Sequence, residues 1–106
     1  MKIKIINTIT DSDKTANVIA ESLVKDNLSP CVQIVPNIKS VYKWEGKLDK
    51  SGEILLLIKT IPEKLQYCKK LILKYHNYEV PEFIVTNGEI LNDEYIDWFI
   101  VNSQKV

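Results

Sequence analysis

From Lys2 onward the chain alternates, with Ile3 and Ile5 on one side and lysines on the other. That is the period-2 pattern of a half-buried strand, and it predicts one over about 2–9. The period then changes. Ala16, Ile19, Ala20, Leu23 and Val24 recur at helical spacing, which predicts a helix over about 12–27 with Asp11 or Ser12 as its N-cap. Asn27 and Leu28-Ser29-Pro30 end it. A second strand starts at Cys31–Val35 and resumes through Val41–Trp44. Pro36 interrupts it, and a residue without an N–H marks an edge, bend or bulge. Glu45–Gly52 reads as a hairpin tip returning into a strand at about 53–60. Pro62 opens a second helix over about 62–75, with Leu65, Cys68, Leu71 and Ile72 inward. His76–Pro81 is a loop, Glu82–Asn87 a short fourth strand, and 92–103 a closing helix.

The resulting order is βαββαβ plus a C-terminal helix. With right-handed crossovers this gives a ferredoxin-like split βαβ domain of the α+β class, spanning 1–106 as one unit. Its four-stranded antiparallel sheet carries helices on one face. One strand adds a further constraint. Ile54-Leu55-Leu56-Leu57-Ile58 is apolar at every position, so both of its faces need cover. Two helices cover only one face. Two or three wet side chains of this kind forfeit about 1.5–3 kcal/mol each, against a domain stability of only about 5–15 kcal/mol. The last helix, another subunit, or both should cover the second face, and an oligomer is the favoured answer.

Charge narrows the partners. Fourteen basic residues balance fourteen acidic ones, so no broad positive field exists to attract nucleic acid or anionic lipid. Every basic residue is lysine, which removes the bidentate guanidinium clamp for phosphate or guanine. No apolar run is long enough to span a bilayer, and the alternating N-terminus is unlike a signal peptide, so a cytoplasmic protein without a membrane partner is expected. Cys31 and Cys68 stand in no metal or redox spacing and read as reduced, buried thiols. With three glycines, no phosphate-cradling loop can be written.

What remains is a set of polar and aromatic residues at strand ends and in one loop. Tyr42 and Trp44 share a strand face; Glu53 and Lys59 bracket the apolar strand. His76, Tyr78 and Glu82 surround Pro81, and Tyr95 and Trp98 lie one turn apart on the last helix. The ordered set Cys31-Val32-x-Ile34-x-Pro36, Ser40-x-Tyr42-x-Trp44-x-Gly46-Lys47, Glu53 with Leu56, Lys59 and Thr60, His76-x-Tyr78-x-x-Pro81-Glu82 and Tyr95-x-x-Trp98 resembles the CutA family of divalent-cation tolerance proteins. The match runs through nearly the whole chain.

The resemblance implies a ferredoxin-like fold, a homotrimer built like the nitrogen-signalling PII proteins, no enzyme activity, and a role in tolerance of copper and other divalent cations. It also implies a ligand or interface pocket made of Tyr42, Trp44, Glu53, Lys59, Tyr78, Glu82 and Trp98. Family members described as copper binders offer a cysteine near the end of the first strand and two adjacent histidines before the Tyr-x-x-Pro-Glu segment. The matching positions here are Asn7 and Tyr75-His76, so His76 alone survives as a ligand for Cu(II), with Glu82 or Glu53 as helpers. Against this, a loop histidine hydrogen-bonded at a subunit junction is the structural alternative. Likewise, Glu53 and Lys59 read equally as an interface ion pair and as a pocket for an anion. Three functions stay open: a copper-responsive protein, a PII-like trimeric sensor of a small ligand, and a scaffold for a partner protein with no metal role.

Overall fold

Strand β1 (Lys2–Thr10) leads into helix α1 (Asp13–Lys25), and strands β2 (Cys31–Trp44) and β3 (Lys47–Thr60) form a long hairpin. A 3-10 turn at Pro62–Lys64 runs into α2 (Leu65–Tyr75), followed by β4 (Ile84–Glu89) and α3 (Asp93–Val101). This architecture comes from a computed structural model that describes residues 1–104; Lys105 and Val106, the last two of the expected 1–106 domain, lie outside the described residues. The sheet order is β2-β3-β1-β4 with every neighbouring pair antiparallel, which is the expected split βαβ arrangement.

Local chemistry sets the boundaries. Ser12, not Asp11, caps α1, its side chain accepting from the Thr15 N–H at 3.1 Å. At the other end Asn27 takes φ 57°, and the Leu28 N–H closes back on the Leu23 carbonyl at 3.0 Å. Pro36 falls where the β2–β3 register shifts between Val35 and Ile38, with Asn37 at φ 60°. Because β2 is an edge strand, the missing N–H costs the ladder little there. The hairpin tip is shorter than expected. Glu45 and Gly46, at φ 51° and 79°, make a two-residue turn, and pairing resumes at Trp44↔Lys47. Lys47–Gly52 is mostly polar and exposed, with Leu48 its one apolar side chain, so hydrophobic pattern alone does not reveal that it is a strand; its partner is the Lys39–Trp44 stretch of β2.

The core lies between the sheet and α1 with α2. Ile6, Leu56 and Ile58 from the strands meet Ala16, Ile19, Leu23, Cys68 and Ile72 from the helices, all fully buried. On the opposite sheet face α3 covers one end, where Phe99 packs on Ile3 and Ile90 with Tyr95 and Ile96 around them. The expectation that helices occupy one face therefore holds for α1 and α2, while α3 takes part of the other. The rest of that second face is left uncovered by the described residues. By strand alternation it carries Leu55 and Leu57, each only half-buried, between Glu53 and Lys59. The β2–β3 hairpin also outruns β1, whose last pairing is Thr10↔Ile54. Its distal half is a two-stranded arm, and the molecule measures 47 × 25 × 22 Å.

Candidate functional site

The arm, the end of β1 and the loop after α2 enclose a cleft of about 780 Å³. Alternation along β2 aims Tyr42 and Trp44 to the same side, into this cleft, with 39% and 56% of their surface exposed. The Tyr42 hydroxyl lies 3.2 Å from Ser51 Oγ across the arm. Glu53, from the base of the arm, is 5% exposed.

The loop is tied down by its own side chains. His76 ends α2, its N–H donating to the Ile72 carbonyl at 2.9 Å. Its ring Nδ1 accepts the Tyr78 N–H at 3.0 Å, so the proton sits on Nε2, which donates to the Ile9 carbonyl at 2.9 Å. Burial holds the imidazole below its ordinary pKa of 6.5, against the opposing pull of the Ile9 carbonyl and Asp11. Asn77 then bridges two residues at the end of β1: its Oδ1 accepts from Thr10 Oγ1 at 2.6 Å and its Nδ2 donates to Asp11 Oδ1 at 2.7 Å. These anchors aim Tyr78 across the cleft. Its hydroxyl donates to Glu53 Oε2 at 2.5 Å, while Oε1 of the same carboxylate is buried with no hydrogen-bond partner among the described residues. Burial, then the hydrogen bond and charge of Glu53, raise the Tyr78 pKa well above its usual range.

The seven residues expected to share a pocket divide within one chain. Tyr42, Trp44, Glu53, Tyr78 and Glu82 line the cleft. Lys59 lies six residues along β3 from Glu53, half-buried beside Ile5 and Cys31 in the ladder, and its ammonium makes no hydrogen bond or ion pair among the described residues. Trp98 sits on α3, stacked on Tyr95 with ring centroids 5.3 Å apart. Burial and the adjacent Cys31 raise the Tyr95 pKa, which places this aromatic pair at the Cys31–Lys59 end of the face. Sequence reasoning missed Asp49, Asn77 and Glu79 as lining residues and read Asp11 only as a possible cap. Nothing local distinguishes these polar loop and arm residues; the fold brings them together.

Copper is a poor fit to His76. One ring nitrogen accepts a backbone N–H and the other donates to a carbonyl, so neither offers a free lone pair. Asn7 and Tyr75 supply no soft donor, and among the described residues no group of three or more His, Cys, Asp or Glu could hold a metal ion. The same geometry disarms a hydrolytic pairing. Thr8 Oγ1 is 3.3 Å from His76 Nε2, but that nitrogen carries the proton given to Ile9, and Thr8 is fully buried.

The fold and the cleft together define the class: a split βαβ α+β module with an acid-floored, aromatic-walled cleft at the root of a long hairpin arm. The sequence profile of the family described as CutA1 divalent ion tolerance protein matches residues 4–102. The divalent-cation tolerance protein CutA of Thermus thermophilus is 37% identical over 92 residues, covering 87% of this chain and 89% of that protein. The chloroplastic protein CutA of Arabidopsis thaliana is 42% identical over 83 residues, covering 76% of this chain but only 44% of the plant protein. The chain thus spans nearly all of the bacterial relative and less than half of the plant one. The crystal structure of CutA1 from Oryza sativa superimposes with a TM-score of 0.91 at 30% identity, over 100% of this chain and 97% of that one. This chain belongs to the CutA family of divalent-cation tolerance proteins.

Proposed function

We propose that this chain serves divalent-cation tolerance as a non-enzymatic homotrimer that captures a cationic small ligand, hydrated divalent ions included, in the cleft between the arm and the His76–Glu82 loop. The lining carries the proposal. Five carboxylates, those of Asp11, Asp49, Glu53, Glu79 and Glu82, stand with the rings of Tyr42, Trp44 and Tyr78, and among the described residues no lysine lines the cleft. Charges of one sign in a concave site focus the field and concentrate counter-ions, and aromatic faces add cation–π attraction. With no group of three or more ligating side chains close enough among the described residues, an ion is held here with its waters, by the field of the carboxylates and not by direct coordination. In this respect the chain is nearer to a small-ligand sensor than to a histidine copper site. The homotrimer is supported by the half-buried Leu55 and Leu57 on an open sheet face.

Isothermal titration with Mn(II) and Cu(II) tests the reading. Asp49→Asn with Glu82→Gln should weaken Mn(II) binding several-fold, and added salt should weaken it further, while His76→Gln leaves it unchanged. Stoichiometric Cu(II) binding abolished by His76→Gln, or no Mn(II) binding by the unaltered protein, refutes it.

A further inference from the structure

Along one face of β3, Glu53, Leu55, Leu57 and Lys59 form a stripe that is acidic at one end, apolar in the middle and basic at the other. Glu53 is 5% exposed, and its Oε1 has no partner among the described residues. A buried carboxylate oxygen without a donor is a costly arrangement that native structures rarely leave unanswered. The cation best matched to it is on the same stripe and out of reach. Six residues of strand separate Glu53 from Lys59 by about 20 Å, at roughly 3.4 Å per residue. Each charge lacks a partner among the described residues of its own chain, and the two leucines between them are only half-buried.

We propose that a second copy of this chain places its Lys59 ammonium against Glu53 Oε1, completing the floor of the cleft from across the subunit boundary. This rests on the homotrimer proposed above and deepens it: the cleft is incomplete in one chain, and Lys59 acts as a positioning residue for the neighbour's site. The exchange buries both half-wet leucines in the same contact and leaves the carboxylates of Asp11, Asp49, Glu79 and Glu82 around the cleft. It also explains why Lys59 stands apart from the other pocket residues within a single chain.

Two measurements test the pairing. Equal amounts of ¹⁴N- and ¹⁵N-labelled protein, unfolded together and refolded, are treated with a carbodiimide, which joins an ammonium to a carboxylate in direct contact. Mixed-isotope peptides linking Glu53 to Lys59 are expected. In parallel, Glu53→Gln, Lys59→Met and the double variant are compared by analytical ultracentrifugation. Each single change should raise the subunit dissociation constant more than tenfold, and the double variant should be no worse than the weaker single. A stable trimer that gives no mixed-isotope link and shows multiplicative effects overturns the pairing while leaving the trimer intact. An unaltered protein that sediments as a monomer overturns the trimer and the pairing together.

Discussion

Tyr78→Phe removes one oxygen and leaves the ring, which lies 5.1 Å from the His76 ring, in place. The lost bond is the 2.5 Å contact to Glu53 Oε2, the only hydrogen bond that carboxylate accepts among the described residues. A hydrogen bond to a charged group contributes about 1.5–3 kcal/mol, and the substitution strips this buried carboxylate of one. An expected loss of about 2 kcal/mol corresponds to a fall in melting temperature of roughly 8–16 °C for a domain of this size. Urea denaturation checks this, at fixed protomer concentration because assembly makes apparent stability concentration-dependent. The same change in a Glu53→Leu background should cost almost nothing, since the hydroxyl then has no carboxylate to serve. A loss below about 0.5 kcal/mol in the parent, or an equal loss in both backgrounds, refutes the reasoning. Alkaline titration adds a check of sign. The Tyr78 pKa is raised on folding above its ordinary 10.0, so this contribution is complete below pH 10 and disappears as pH rises through the folded value. Tyr78→Phe should therefore lose stability less steeply above pH 10 than the parent.

Three further outcomes follow from other parts of the molecule. His76 has its pKa lowered on folding from the ordinary 6.5, so its contribution is present above that pH and lost as pH falls through the folded value; His76→Gln should flatten the stability profile between about pH 7 and 5, measured by thermal melts. Leu56→Ala, at a fully buried position of the core strand, should cost about 2–5 kcal/mol in urea denaturation, and a cost under 1 kcal/mol would mean that the core closes around the gap. Ser12→Ala removes the α1 cap and should cost about 1 kcal/mol, whereas Asp11→Ala, at a residue that does not cap the helix, should spare helix stability and loosen the Asn77 contact seen by amide exchange.

The elements of this protein were legible in its sequence because they are set within a few residues. Alternation named β1, the 3-4 spacing of Ala16 to Leu23 named α1, Pro36 named an edge irregularity, and the unbroken Ile54–Ile58 run announced that both faces of β3 need cover. The hairpin tip was misjudged because Lys47–Gly52 pairs through its backbone without burying a side-chain face. The site depended on tertiary structure throughout. Tyr78 meets Glu53 across 25 positions, and His76 meets Ile9 across 67. No local pattern encodes such partners, since they depend on where a crossover lands relative to a strand end. The same holds for His76, whose residue type permits metal ligation and whose two occupied ring nitrogens make it a fastener for the loop. It holds also for Lys59 and Trp98, which motif order groups with Glu53 and which the length of β3 and the path of α3 carry to the far end of the sheet. Sequence determined which residues are chemically able to act; distances across the fold decided which of them act together.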